Sequence, residues 1–281
     1  MHIDCVVLDL DGTFTDLADE APAFQAAFPG LVADLLGKDL AVAWPEAERR
    51  VRDLSPELGW TVEGHVVAPA DADPYIHASC VAQLLFDRFL VLADPTLRSD
   101  VITALYRRAY QHTGAAFRPD AKAVLSALLL RVPHVRFITN AVEDVARRKL
   151  ASLAPRGLEK LGLCGDARKF LIGPAAAPDE RFTRIPKSKQ IPGLTRPVLL
   201  SRGRYFDALA AIWKETGARP ETTLVCGDIY ELDLALPAEL GAQVHLIRRE
   251  QTFDYELEAI RALGPRGGVS DTLTPLLERL G

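Results

Sequence analysis

The chain has 281 residues, 48% of them apolar and 25% charged, with a net charge of −5. This composition is typical of a globular protein of about two domains, and the acidic balance argues against a nucleic-acid-binding surface. With no apolar run of the roughly 18 residues that a membrane span needs, no basic signal-like start and four scattered cysteines, we expect a cytoplasmic protein without a membrane segment.

The first predicted element is an apolar run at residues 5–8, which indicates a buried strand of a parallel sheet. Asp9 and Asp11 follow it, at the strand end where open α/β sheets bind ligands. Crowded carboxylates repel unless a cation relieves the charge, so a site for a hard metal such as magnesium, with carboxylate chemistry, is one interpretation. The other is a strand that ends in a solvated Asp-Gly turn.

Residues 17–116 carry helix-like apolar spacing and predict a mainly helical insertion. The predicted helices lie at residues 21–36, 46–54, 76–92 and 99–112. Five side chains of the insertion are candidate pocket walls, although packing inside the insertion is the favoured interpretation for each. They are Trp44, Trp60, Tyr75, His77 and Phe86.

The remainder alternates strands and helices, which is typical of βαβ units around a parallel sheet covered on both faces. Strands are predicted at residues 135–138, 198–200, 224–226 and 244–247, and helices at 121–130, 143–153, 205–216 and 232–240. The Pro-rich, basic stretch 173–197 interrupts this pattern. It is interpreted as a solvated surface loop, with steering of anionic substrates as the alternative.

Three segments in this order resemble motifs I, II and IV of the haloacid dehalogenase-like (HAD) hydrolase superfamily. They are Asp9-x-Asp11-Gly12-Thr13, the strand ending in Thr139-Asn140, and Gly227-Asp228 followed by Asp233. The resemblance implies a Rossmann-like α/β core formed by residues 1–16 and 117–281. It also implies that residues 17–116 are a helical cap that covers the active site and selects the substrate.

The resemblance assigns roles residue by residue. Asp9 is the expected nucleophile, and Asp11 the expected proton donor and acceptor, a residue that argues for phosphoryl transfer rather than dehalogenation. Thr139 and Asn140 are expected to bind phosphate. The expected magnesium ligands are Asp9, the backbone carbonyl of Asp11, and Asp228, with Asp233 ordering either the metal site or a basic group and Glu231 as a competitor for that role.

One family feature is missing from its usual place. Members usually carry a Lys just before the helix that precedes motif IV, and here that region reads Ser201-Arg202-Gly203-Arg204. Arg202 or Arg204 is therefore expected to supply the cation, since guanidinium binds phosphate oxygens well. Lys187 or Lys189 of the Pro-rich stretch is the alternative source.

The expected activity is magnesium-dependent hydrolysis of a small phosphorylated metabolite through an aspartyl-phosphate intermediate. A phosphomutase, or a non-catalytic protein that binds a phosphorylated ligand or a partner, are the alternatives. The sequence has no zinc-ligand cluster, P-loop or Gly-x-Ser-x-Gly segment. Neither the substrate nor the oligomeric state follows from the sequence.

Overall fold

The computed structural model describes residues 2–111 and 113–280. The predicted outer ends of the core, Met1 and Gly281, and the predicted end of a helix at His112 lie outside the described residues. The chain divides into two compact units, one formed by residues up to Asp16 together with those from Phe117 onward, the other by Leu17–Ala116. The assignment of the second unit as a cap stays a prediction.

Strands occur in both units. In chain order they are β1 (Cys5–Leu8), β2 (Gly59–Val62), β3 (His65–Pro69), β4 (His134–Ile138), β5 (Gly162–Cys164), β6 (Ser188–Lys189), β7 (Val198–Leu199), β8 (Thr223–Gly227), β9 (Gln243–Ile247) and β10 (Gly267–Ser270). Six of these form one sheet in the order β10-β9-β8-β1-β4-β5, and every neighbouring pair is parallel. The predicted Rossmann-like parallel sheet is confirmed.

Helices separate most of these strands. The α-helices are α1 (Leu17–Glu20), α2 (Pro22–Leu36), α3 (Ala43–Leu54), α4 (Pro74–Arg88), α5 (Pro95–Tyr110), α6 (Ala121–Arg131), α7 (Glu143–Leu153), α8 (Glu180–Arg184), α9 (Gly203–Thr216), α10 (Ala235–Glu239) and α11 (Asp254–Arg261). A π-helical turn, Tyr230–Leu234, leads into α10. Among the described residues, none of these helices combines the length and apolarity that crossing a membrane requires.

The side chains of β1 alternate between the two faces of the sheet, as strand geometry requires. Val6 and Leu8 join one apolar core, whereas Cys5 and Val7 join the core on the opposite face. β1 is central, and its last residue, Leu8, lies between Phe137 of β4 and Cys226 of β8. The segments that leave β1, β4 and β8 therefore begin side by side, at the carboxyl ends of these three parallel strands.

One predicted strand belongs elsewhere. Residues 198–200 were expected to join the parallel sheet, but β7 pairs antiparallel with β6 in a separate two-stranded sheet. The expectation was wrong because a two-residue apolar run does not define its partner. The main sheet instead takes β5 and β10 as its two edges, two short strands that the sequence pattern did not predict.

The unit Leu17–Ala116 packs α2, α3, α4 and α5 together with the antiparallel β2–β3 hairpin. Its interior contains a cluster of aromatic rings: the Tyr75 ring meets Phe24 edge-on at 4.9 Å, and Trp44 meets Phe28 edge-on at 6.2 Å. Phe86 is fully buried, while Trp60 on the hairpin is half-buried. The hydroxyl of Tyr75 donates to Glu20 Oε1 at 2.9 Å, so this buried hydroxyl has an acceptor within the unit.

Candidate active site

Asp9 and Asp11 lie on the tight turn that leaves β1. The backbone N–H of Asp9 still donates to Cys226 O of β8 at 2.9 Å, and the chain then folds back so that Phe14 N donates to Leu10 O at 2.8 Å. Gly12 lies at the centre of this turn with φ of 82°, a conformation that favours glycine. The Asp-Gly turn and the paired carboxylates thus occur together.

The carboxylate of Asp9 is buried, with 8% of the residue exposed. Its Oδ1 accepts a hydrogen bond from Lys169 Nζ at 2.6 Å, and its Oδ2 accepts from the Thr13 hydroxyl at 3.0 Å. Burial raises the pKa of Asp9 to about 7, and the negative charges of Asp233 and Asp11 act in the same direction, while Lys169 opposes them. A cation placed beside this carboxylate would favour its ionised form.

Lys169 is a cation that contacts both Asp9 and Asp233. The residue is only 2% exposed, and its Nζ donates to Asp9 Oδ1 at 2.6 Å and to Asp233 Oδ1 at 2.5 Å. The two carboxylates hold its pKa above the usual lysine range despite burial, which acts in the opposite direction. An ammonium group therefore bridges the end of β1 and the segment that follows β8.

The expectation that Arg202 or Arg204 supplies this cation needs correction. Arg202 is fully buried, but its Nε donates to Leu199 O at 3.0 Å and its Nη1 to Lys169 O at 2.8 Å, so it supports the backbone of Lys169. Arg204 is exposed. The physical reason is the position of the lysine in the chain. Lys169 lies between the unpredicted strand β5 and the Pro-rich stretch, whereas the sequence analysis considered only that stretch and the residues next to α9.

Neither of the alternative lysines contacts Asp9 or Asp233 in the described hydrogen bonds, and Glu231 is held by other partners. Lys187 is exposed, and Lys189 Nζ pairs with Glu239 Oε1 at 2.5 Å. Glu231, the competitor for the role of Asp233, is held by both terminal nitrogens of Arg196, at 2.9 and 2.7 Å, and by the Tyr255 hydroxyl at 2.7 Å. Its carboxylate is thus occupied by a buried ion pair.

Thr139 and Asn140 follow β4 and contact the segment that carries Lys169. Thr139 is buried, and its Oγ1 accepts from Ala141 N at 3.1 Å, an arrangement that leaves the hydroxyl proton for donation. The side chain of Asn140 accepts from Lys169 N at 2.8 Å. In this structure Asn140 therefore orders the backbone of Lys169, whereas the sequence interpretation assigned it to the substrate.

Three carboxylates form a cluster of possible metal ligands. One oxygen each of Asp9, Asp228 and Asp233 lies within 4.8 Å of the others, and the Thr13 hydroxyl lies 3.0 Å from Asp228 Oδ1 as well as from Asp9 Oδ2. Both oxygens of Asp233 already accept hydrogen bonds, from Lys169 Nζ and from Ile229 N. The set consists of hard oxygen donors, which suits magnesium.

The backbone around these carboxylates is tied in place by arginines. Arg249 donates to Asp228 O and pairs with the buried Glu256 at 2.8 Å, and Arg118 donates to Gly12 O at 2.9 Å. Gly227 has no room for a side chain, since a Cβ there would lie 2.3 Å from Asp233 Cβ. The backbone segments that carry Asp9 and Asp228 are therefore restrained by arginine hydrogen bonds and by close packing at Gly227.

A second buried lysine contacts the turn after β1. Lys149 of α7 is 5% exposed, and its Nζ donates to Asp11 Oδ1 at 2.9 Å. The two aspartates of the turn are thus held by different ammonium groups. Chemically, the site presents a buried carboxylate nucleophile candidate, a second carboxylate two residues away, hydroxyl donors and two positive charges, a combination suited to an anionic electrophile.

Comparison with known proteins gives a clear result for the fold. No protein-family model and no curated protein matches the chain, but solved structures do. A haloacid dehalogenase-like hydrolase from Bacteroides fragilis has a TM-score of 0.57 at 14% identity, over 98% of this chain and 99% of its own. The HAD-hydrolase YfnB from Bacillus subtilis, bound to magnesium, has 0.54 at 14%, over 100% and 99%. A HAD phosphatase from Thermococcus onnurineus has 0.50 at 15%, over 100% and 98%.

The chain has the fold of the HAD-like hydrolases. In this HAD-like core the carboxylates that follow β1 and β8, and Thr139 and Asn140 after β4, could be predicted from the sequence, but the two lysines could not. Lys149 did carry a signal: it falls on the buried stripe of α7 with Ala146, Leu150 and Leu153, where an apolar residue is expected. Lys169 lies in an irregular segment that has no periodicity.

Proposed function

We propose that this protein is a magnesium-dependent phosphatase that hydrolyses a small phosphorylated metabolite. The observation that carries the proposal is the Lys169 ammonium group, which bridges Asp9 and Asp233 at 2.6 and 2.5 Å. Asp228 lies in the same carboxylate cluster, and Asp11 follows Asp9 on the same turn. A carboxylate attacks a phosphate dianion only if nearby positive charge offsets the repulsion. Lys169 is placed to supply part of that charge.

The reaction proceeds in two displacements. A carboxylate oxygen of Asp9 forms a bond to phosphorus while the bond to the leaving oxygen breaks, and Asp11 gives that oxygen its proton. Asp11 then takes a proton from water as the water oxygen attacks the aspartyl phosphate, which releases inorganic phosphate and restores Asp9. Thr139 donates its hydroxyl proton to a phosphate oxygen, while Asn140 acts with it by ordering Lys169.

Magnesium fits the residues present. Asp9 and Asp228, with the backbone carbonyl of Asp11, would hold the ion, and Asp233 would act mainly by holding Lys169. Bound there, magnesium supplies neutralisation of charge on the phosphate. Magnesium and phosphatase activity are named for two of the solved structures, which supports the proposal by analogy.

The unit Leu17–Ala116 is proposed as the cap that excludes water and selects the substrate. We place the activity in the cytoplasm, since the four cysteines are free thiols, which suits a reducing compartment. The non-catalytic alternative rested on the absence of a lysine, and Lys169 removes that reason. Release of free phosphate separates a phosphatase from a phosphomutase.

The test is phosphate release from an aryl phosphate, with and without magnesium. Asp9→Asn is expected to remove turnover without unfolding the protein, while Asp144→Asn, at an exposed position, is expected to remain active. Acid quenching during turnover of a labelled phosphate ester should leave the label on the peptide that contains Asp9. Full activity in folded Asp9→Asn, or label on another peptide, would refute the covalent mechanism.

A further inference from the structure

We infer that Lys149 is a positioning residue that orients Asp11 for proton transfer, an inference that rests on the proposed function. Lys149 lies on α7, ten residues beyond Thr139, and its side chain is 6% exposed. Its Nζ donates to Asp11 Oδ1 at 2.9 Å, and the Asp11 side chain is 19% exposed. The pair therefore lies at the buried border of the site rather than on the protein surface.

Stability alone does not account for a lysine at this position. The neighbouring buried positions of α7 are apolar: Ala146, Leu150 and Leu153. Taking an ammonium group out of water is unfavourable, and replacing a buried ion pair by packed apolar residues is often neutral or stabilising. An apolar side chain at position 149 would extend the stripe, so the charge points to a role in the site.

The two ammonium groups divide the carboxylates between them. Lys169 holds Asp9 and Asp233, whereas Lys149 holds Asp11. Asp9 and Asp11 are two residues apart and repel each other, a repulsion that contributes to the raised pKa of Asp9. The hydrogen bond from Lys149 holds the Asp11 carboxylate in a defined orientation beside Asp9.

The hydrogen bond from Lys149 restrains the rotation of the Asp11 side chain through its Oδ1. The carboxyl group that gives a proton to the leaving oxygen, and later takes one from the attacking water, is thereby held in one orientation. The effect of Lys149 on the reaction passes through Asp11.

The dependence on the leaving group tests this inference. A nitrophenolate with several electron-withdrawing groups leaves without protonation, whereas an alkoxide requires it, so only the alkyl ester depends on Asp11 in the first displacement. We expect Lys149→Met to lower kcat/KM for an alkyl phosphate about ten- to a hundredfold and that for 2,4-dinitrophenyl phosphate less than about threefold. Lys149→Arg should recover part of the loss, and Arg148→Met, at an exposed position of the same helix, should behave as the wild type.

A double-mutant cycle separates positioning from a structural role. If Lys149 acts through Asp11, adding Lys149→Met to Asp11→Asn should lower kcat/KM for the alkyl phosphate no further. Equal losses on both esters, or additive losses in the double variant, would overturn the inference. If the wild type hydrolyses no phosphate ester, the proposed function has failed, and the crystal structure of Lys149→Met then decides: an unchanged Asp11 side chain refutes positioning, and a rotated one supports it.

Discussion

The two units of the molecule bury polar groups in different ways. In the core, charged groups from distant parts of the chain meet, as in the contact of Lys169 with Asp9, 160 residues apart. In the unit Leu17–Ala116 the polar contacts join residues closer in the chain: Tyr75 donates to Glu20 beside a cluster of aromatic rings, and His77 contacts Asp71 in a half-buried pair. The core is organised around charge and the other unit around shape, which is the division expected if one unit carries the reaction and the other selects the substrate.

The largest effect is expected from removing the metal ion proposed for the core. A chelator should abolish phosphate release and added magnesium should restore it, since two neighbouring carboxylates cannot approach a phosphate dianion without compensating charge. Asp228→Asn should also remove the heat of magnesium binding in calorimetry. The exposed Asp271→Asn is the control, and a wild-type binding heat in Asp228→Asn would show that the ion binds elsewhere.

The next effect concerns the ammonium group. Lys169→Met should lower kcat about 10²- to 10³-fold, the usual loss on removal of one electrostatic group that stabilises the transition state. Lys187→Met, at an exposed position, should change kcat little. Comparable kcat values for the two variants would mean that the bridge between Asp9 and Asp233 is structural only.

How far the sequence predicts this site depends on the kind of residue. Each of four site residues follows an apolar strand: Asp9, Asp11, Thr139 and Asp228. Side chains alternate along a strand, and the carboxyl ends of parallel strands lie together, so these residues are expected to meet. Lys169 follows β5, a three-residue strand. No local pattern in the sequence shows that the segment carrying Lys169 returns to Asp9. Its position depends on hydrogen bonds across the chain, such as Ala167 N to Thr139 O at 3.0 Å.

The same limit explains the outcome for β7. Its apolar residues predict a strand, but the pairing with β6 is decided by Leu200 N donating to Lys187 O at 2.8 Å and by the Pro-rich stretch between the two strands. In the other unit apolar periodicity predicts helices at 21–36 and 46–54, and α2 and α3 confirm them. The β2–β3 hairpin was missed, because four- and five-residue strands beside long helices carry little signal.

A smaller effect is expected from the unit organised around shape. Trp60→Ala should change the ratio of kcat/KM between two phosphorylated metabolites by about tenfold, while kcat for the better substrate falls far less than in Lys169→Met. Trp60 is half-buried on the hairpin, so its truncation removes less packing than that of Phe86. A uniform loss on every substrate, without a change in the ratio, would argue against a selective cap.

The smallest expected effect is the pH dependence of stability in the metal-free protein. The pKa of Asp9 is about 7 in the folded protein, against an ordinary value of 3.8. Between these pH values the folded protein retains a proton that the unfolded chain has released, so the contribution of Asp9 to stability falls as the pH rises from about 4 to about 7. Magnesium binds the ionised carboxylate, and its stabilising effect should therefore grow over the same range.

Thermal unfolding followed by circular dichroism measures both effects. At 10 mM magnesium we expect the rise in Tm to be larger at pH 8 than at pH 6, by about 2–4 °C, the shift typical of 1 kcal/mol in a protein of this size. Asp9→Asn should remove the difference between the two pH values, since its amide does not titrate. An equal rise at both pH values in the wild type would mean that Asp9 is already ionised in the metal-free fold, and that Lys169 alone is sufficient to hold its charge.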